Sequence, residues 1–290
     1  MPELPEVETV AKSVHQRIHG ERIESVWLGS KPEPFKTDPV AMEAALAGAR
    51  IEAVRRVGKH IVFDLERDAA ADAPAGHSGP QWIVHLGMTG RLLVVERDVP
   101  RPAHTHAVLS LSSGRELRFV DARRFGRLAL HLRSEPHDAK GISGQPTGFQ
   151  GPGSEPLTIS VDDFAALFRG RKLAIKAALL NQRLLHGVGN IYADESLFRA
   201  GIRPSTPAGR ISRARLAVLH KALQAVLRSA IELGGSSVSD YVDAAGVRGF
   251  FQLEHRVYGR PGEPCKVCGA AIRRTMIGGR STHACPRCQR

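Results

Sequence analysis

All four cysteines of the chain lie in its last 26 residues, as Cys265-x2-Cys268, sixteen intervening residues, and Cys285-x2-Cys288. Two close thiol pairs at this spacing suit a tetrahedral four-sulfur zinc site. Between the pairs, AIRRTMI and RSTHA flank Gly278-Gly279, a two-residue hairpin turn. The segment therefore reads as a zinc ribbon, two cysteine knuckles holding one β-hairpin. Four protein ligands leave no open coordination position, so the zinc is expected to be structural. Two disulfides or a redox CxxC site are the rivals. A start without a signal peptide's basic and apolar regions argues against the first, and a doubled motif around a basic hairpin against the second.

The hairpin carries Arg273, Arg274 and Arg280 with no acid between the cysteine pairs. The wider chain has 41 Lys+Arg against 29 Asp+Glu, a formal charge of +12. From Tyr241 to Arg290, nine basic residues face only Asp243, Glu254 and Glu263. Such a field points to a polyanion, nucleic acid before an acidic membrane surface, and the hairpin arginines suit phosphate contacts. No apolar run approaches a membrane span, and the expectation is a soluble, cytoplasmic chain.

At 290 residues there is room for two domains. The opening MPELPEVETVAKSV predicts a helix from Pro5: Glu6 and Glu8 suit its dipole, and Val7, Val10, Val14 and Ile18 form one apolar face. Short Val/Ile/Leu-rich stretches follow at 23–28, 51–57, 61–65, 82–86, 91–95, 106–111, 116–120 and 127–132, suggesting a β-sandwich or barrel. AAADAPAGHSGP (69–80) reads as a flexible loop, and the Gly/Pro/Ser-rich 134–156 as the interdomain linker. After it the pattern is helical. Ser160 and Asp163 cap a helix through Phe168; a second runs Leu173 to Asn181, and a third Ile191 to Ala200, stopped by Gly201. Leu216, Leu219, Leu223, Val226, Leu227 and Ile231 mark a long fourth helix ending at Gly234-Gly235.

Several loops hold candidate chemistry. HGVGNIYADE (186–195) puts two glycines and Asn190 before a helix start, where backbone amides can receive a phosphate. Lys59 and His60 fall in a strand connection, where the local expectation is a surface lysine. HLGMTGRL (85–92) and VDARRFGRL (120–128) put Met88 and Phe125 in turns beside glycine and arginine. Locally, both are expected to cover the core; exposed, they would be wedges for the gap left by an extruded nucleotide.

Together these residues resemble a known family. MPELPEVET, HLGM at 85–88, ARRFG at 122–126, GVGNIYADE at 187–195, VYGRPGEPC at 257–265 and the paired CxxC motifs are similar, in order from Pro2 to Cys288, to bacterial formamidopyrimidine-DNA glycosylases. The resemblance implies an α+β multidomain fold: an N-terminal β-sandwich with an N-terminal helix, then a helix–two-turn–helix domain ending in a zinc ribbon, with DNA in the cleft between. The corresponding domains are 1–133 (catalytic sandwich), 134–156 (linker), 157–240 (helix–two-turn–helix), 241–262 (lesion-covering loop and connection) and 263–290 (ribbon). It implies a monomeric bacterial enzyme, associated with the nucleoid through double-stranded DNA bearing an oxidised base or abasic site. Position by position, Pro2 matches the nucleophile, Glu3 the acid beside it and Glu6 a second functional carboxylate. Lys59 (also counted with the catalytic set), Asn190 and Arg280 match phosphate-gripping residues. Met88, Arg123 and Phe125 match the trio filling the void opposite the orphaned cytosine, and Lys176 a lysine near the lesion pocket. Cys265, Cys268, Cys285 and Cys288 match the ligands of one structural zinc. In DAAGVRGFF (243–251), Val247 stands where many relatives carry lysine, with Arg248 next to it. The linker matches the family's Leu-Gly-Pro-Glu-Pro pattern only around 153–156.

The implied reaction is removal of 8-oxoguanine and formamidopyrimidines followed by strand cleavage. Loss of Met1 would free the Pro2 nitrogen, a terminal amine with a reference pKa of about 8 and thus partly nucleophilic near neutrality. An iminium with C1′ of deoxyribose acidifies C2′ and drives elimination of the 3′ and then the 5′ phosphate. A carboxyl whose pKa is raised by burial would suit the proton transfers assigned to Glu3. Two other readings stand beside this one: an endonuclease VIII-like enzyme for oxidised pyrimidines, and a non-catalytic zinc-dependent DNA-binding protein.

Overall fold

The computed structural model describes residues 1–67, 79–132, 148–237 and 243–290. The expected loop at 69–80, apart from its last two residues, and the larger part of the expected linker at 134–156 lie outside them. The chain divides into two compact units. The first comprises Met1–Pro2, Glu6–Gln150 and Ser237–Gly249; the second comprises Glu3–Pro5, Gly151–Ser236 and Phe250–Arg290.

In the first unit, helix α1 (Leu4–Ile18) turns Val7, Val10, Val14 and Ile18 inward, all fully buried or nearly so. All eight expected strands form: β1 (Ile23–Leu28), β2 (Arg50–Val57), β3 (His60–Glu66), β4 (Gln81–His85), β5 (Arg91–Glu96), β6 (Thr105–Leu111), β7 (Arg115–Val120) and β8 (Arg127–His131). They make two four-stranded antiparallel sheets, ordered β1-β6-β7-β5 and β2-β3-β4-β8. Ile61, Phe63 and Trp82 of one sheet and Leu92, Leu109 and Phe119 of the other join the α1 stripe in one core. That resolves sandwich against barrel. One element was not expected, helix α2 (Pro39–Leu46). Its signals are local: Asp38 caps the amide of Ala41, Pro39 opens the first turn, and Met42 and Leu46 pack inward.

The second unit holds α3 (Val161–Ala166), α4 (Ile175–Leu179), α5 (Asn190–Arg199) and α6 (Arg213–Glu232). Ser160 caps the Asp163 amide as its spacing predicts. Helix α4 is shorter than the expected 173–181, because Ala174 bridges to Pro207 and the Ile175 and Lys176 amides donate to the carbonyls of Thr206 and Pro204. Leu4 joins Phe164, Leu179, Tyr192, Leu219 and Leu223 in this core. Strands β9 (Arg273–Ile277) and β10 (Arg280–Ala284) pair around Gly278-Gly279, whose φ angles of 56° and 71° are those of a primed hairpin turn. Glu195, fully buried on α5, accepts the amides of Arg256, Val257 and Tyr258 at 2.9–3.0 Å, docking the segment that leads into the ribbon.

A half-buried histidine, His85, and a buried one, His255, make the fold acid-sensitive. Burial pushes His85 down to about 4, helped by His60, Lys59 and Arg127. Burial likewise takes His255 to about 4. Below the ordinary histidine value near 6.5 the unfolded chain binds protons that the folded one refuses, so stability is lost as pH falls from there toward 4, by up to about 3 kcal/mol per histidine. Denaturant unfolding from pH 7 to pH 4 should show that decline, and His255→Gln should flatten its share; an unchanged slope in the variant would refute the assignment.

Candidate active site and metal centre

The site is built around the start of α5. The Leu4 amide donates to the Gly187 carbonyl at 3.0 Å, and Glu3 Oε1 accepts the Ile191 amide, in the first turn of the helix, at 3.3 Å. A Cβ on Gly189 would lie 2.1 Å from Glu3 Cδ, and one on Gly187 (φ 92°) would press on Leu4 at 2.9 Å. The two glycines do permit close approach, as their sequence suggests. What approaches, however, is the chain's own Glu3 carboxylate and Leu4, and the Ile191 amide is taken up by that carboxylate. A carboxylate satisfies a helix start for the same reason a phosphate does. Pro2, Glu3 and Glu6 are all buried.

Around this helix the second unit gathers a polar cluster. Asn190 Nδ2 donates to the Ser281 carbonyl at 3.0 Å, and the Lys176 ammonium donates to the same oxygen at 2.7 Å. Lys176 is 0% exposed and ion-paired with Asp194 at 2.7 Å. Burial lowers its pKa, and the charges of Asp194 and Glu3 oppose that shift. Asp194 Oδ2 also accepts the His283 amide at 2.9 Å and faces its Nδ1 at 3.1 Å. Arg280, next to Ser281, is exposed. Burial raises the Tyr258 hydroxyl pKa, as does Glu3, while a hydrogen bond with Asn190 lowers it. Asp194 and Glu195 received no role from sequence; the available signal was two consecutive acids in IYADESLF, a stretch otherwise without charge.

The first unit holds the remaining candidates. Lys59, between β2 and β3, is 8% exposed, so the expectation of a surface lysine is corrected: the side chain is buried. Met88 and Phe125 are 39% and 54% exposed, which overturns the expectation that they cover the core. Their loops are locked backbone to backbone instead. A Cβ on Gly87 would sit 2.5 Å from the Gly126 nitrogen, and one on Gly126 would strike Phe119 at 2.4 Å. Fully buried Asp121 takes the Gly126 amide (2.7 Å) on one oxygen and the Thr89 hydroxyl (2.5 Å) on the other, tying the two loops together. Sequence reading assigned Asp121 nothing. Arg123 lies 5.0 Å over the Phe125 ring, so the cation and the wedge form one exposed group. In the 243–251 segment, Asp243 closes a turn by accepting the Ala245 and Val247 amides, leaving Val247 and Arg248 exposed.

The four cysteine sulfurs lie within 4.8 Å of one another, with Cys265–Cys288 at 3.9 Å and Cys268–Cys285 at 3.4 Å. Tetrahedral zinc with bonds of about 2.3 Å places sulfurs about 3.8 Å apart, so the residues fit the ion. Amides of Val267 and Cys288 point at the sulfurs of Cys265 and Cys285. Burial and the neighbouring thiols push Cys288 up to about 12. Sulfurs so crowded resist joint ionisation until a divalent cation neutralises them.

Comparison with known proteins agrees along the whole chain. Residues 1–128 match the formamidopyrimidine-DNA glycosylase N-terminal domain, 151–242 the formamidopyrimidine-DNA glycosylase H2TH domain, and 262–290 a zinc finger found in FPG and IleRS. The chain is 46% identical to the formamidopyrimidine-DNA glycosylase of Solibacter usitatus, covering 100% of both. It resembles the Lactococcus lactis Fpg in complex with DNA containing an abasic site (TM-score 0.83, 32% identity, 99% of both chains). A complex of the Lactococcus lactis enzyme with DNA containing an oxidised pyrimidine matches with TM-score 0.81 and 31% identity over 100% of both.

The ribbon holds one structural zinc through its four cysteines. Stripping it with a strong chelator, or replacing Cys268 by serine, should abolish bound zinc and amide-exchange protection in β9 and β10 while β3 and β4 stay protected. Full protection of β9 and β10 without metal would show that zinc does not build the ribbon.

Proposed function

The chain belongs to the formamidopyrimidine-DNA glycosylase family, and from that premise we propose that it excises oxidised purines from duplex DNA and cleaves the strand at the resulting abasic site. One observation carries the active-site reading. Glu3, the residue after Pro2, is a buried carboxylate fastened to the start of α5, with Gly189 cleared of any side chain to receive it. Such anchoring serves an acid that must be held still beside a nucleophile.

In this reading Met1 is removed and the secondary amine of Pro2 attacks C1′, displacing the damaged base, which leaves with a proton. The nitrogen lone pair then breaks the C1′–O4′ bond, O4′ takes a proton, and the sugar opens to the iminium. The iminium draws the C2′–H electrons, the 3′ phosphate departs, and the 5′ phosphate follows in a second elimination. The organic chemistry needs no metal-bound step; the zinc supplies rigidity to the ribbon that carries Arg280. Glu3 handles the proton transfers, with Glu6 as a second carboxylate. Lys59, Asn190 and Arg280 grip phosphates around the extruded nucleotide. Met88, Arg123 and Phe125 fill the void and face the orphaned cytosine; their exposure and the Asp121 clasp support that role. Lys176 serves from beneath, through Ser281. The domain roles are those of the family: 1–133 catalytic, 134–156 linker, 157–240 helix–two-turn–helix, 241–262 lesion-covering loop and connection, 263–290 ribbon. The working form is a monomer on DNA in the bacterial cytoplasm. None of the helices among the described residues is long and apolar enough to cross a membrane.

The oxidised pyrimidine in one Lactococcus lactis complex makes lesion class a question for direct assay. Duplexes carrying 8-oxoguanine and thymine glycol should both be offered, with faster excision expected from the first. Borohydride should trap a covalent adduct with abasic DNA, and intact mass should show Met1 absent. A variant carrying an extension before Pro2 should lose trapping and keep salt-sensitive DNA binding. An N-terminally processed protein that gives no adduct would eliminate the lyase mechanism.

A further inference from the structure

The reaction outlined above gives Asp194 nothing to do, yet Asp194 is fully buried, and a buried carboxylate is costly unless partners surround it. Three donor groups converge on it: the Lys176 ammonium at 2.7 Å, the His283 amide at 2.9 Å and the His283 ring at 3.1 Å. Lys176 in turn reaches the Ser281 carbonyl, which Asn190 also holds. Ser281 and His283 are thus tied to α4 and α5 by three side chains, on the strand that begins with Arg280.

A two-stranded hairpin by itself is marginal in water. The cysteine cluster secures the β9–β10 hairpin only at its open end, where Cys285 follows Ala284. The turn end, with Arg280, needs a separate tether, and the Ser281 and His283 contacts supply it. Gly278 at the turn lies against α4 closely enough that an added Cβ would be 3.6 Å from that of Ala177.

We propose that Asp194 is a positioning residue for the phosphate grip: by pairing with Lys176 and holding His283 it fixes the Arg280 end of the hairpin against Asn190, so that both clamp the extruded nucleotide. The role rests on the repair reading above. It predicts a selective defect. Binding to undamaged duplex depends on diffuse positive charge, which substitution of Asp194 by asparagine does not diminish. Binding to a lesion site depends on placing particular donors, and those lose their support.

The test uses full-length, zinc-loaded protein and two duplexes, one undamaged and one with an uncleavable abasic-site analogue. Asp194→Asn keeps the shape and can still accept from His283, but leaves Lys176 without its countercharge. Its affinity for the analogue should fall about tenfold while affinity for undamaged duplex stays within about twofold and zinc content is unchanged. The double variant Lys176→Met with Asp194→Asn removes both buried charges, so no unpaired charge threatens folding, and it should show the same loss of discrimination. Wild-type discrimination in either variant would overturn the positioning role. So would an equal loss on both duplexes accompanied by lost zinc, which is the signature of a merely structural residue. A wild-type chain that bound both duplexes alike would overturn the repair reading itself, and this role with it.

Discussion

Helix α5 is where the second unit is decided, because it buries two consecutive carboxylates. A buried charge must be met by donors, so each acid fixes a segment of chain that would otherwise be a free loop. Glu195 gathers three successive amides at 256–258, and Asp194 gathers Lys176 and His283. At the other end of the same helix, the Ile191 amide receives Glu3. One ten-residue helix thereby holds the acid after Pro2, the asparagine of the proposed grip and the approach to the ribbon.

The first unit solves a comparable problem with one buried acid. Met88 and Phe125 are apolar residues kept in water, an arrangement the hydrophobic effect opposes. Two locks secure it. Glycine at 87 lets the two loops approach backbone to backbone, glycine at 126 clears the Phe119 ring, and Asp121 spends its two oxygens on Gly126 and Thr89, one in each loop. Arg123 stacked on Phe125 partly shields the ring without burying it. A rigid wedge on a rigid sheet loses little conformational freedom on binding, which favours insertion into a duplex.

Much of this was legible in residue order. The strands were found because alternating or continuous Val/Ile/Leu runs end at turn residues, and the ribbon because cysteine spacing reports ligand geometry directly. Helix α2 was missed although Asp38-Pro39 is a start signal, since eight residues give too few turns for a periodic stripe. Lys59, Met88 and Phe125 were misjudged by local rules for one shared reason. Burial is a property of what packs over a residue, which a local pattern does not report: Lys59 is buried, while Met88 and Phe125 stand exposed.

The sequence alone determined the eight strands of the first unit, the starts of α3 and α6, the four-sulfur site and the family, because each depends on local periodicity, spacing or a motif set read in order. Tertiary structure alone decided that the glycine loop at 187–189 receives Glu3, that Asp121 ties Thr89 of one wedge loop to the other, and that Asp194 holds Lys176 and His283. The longest of those contacts join residues about 30 to 190 positions apart. Chain order sets no distance between such residues until the core has closed. The opening proline is visible in the first line of sequence; what holds its neighbour in place appears only when residue 191 is folded back to meet it.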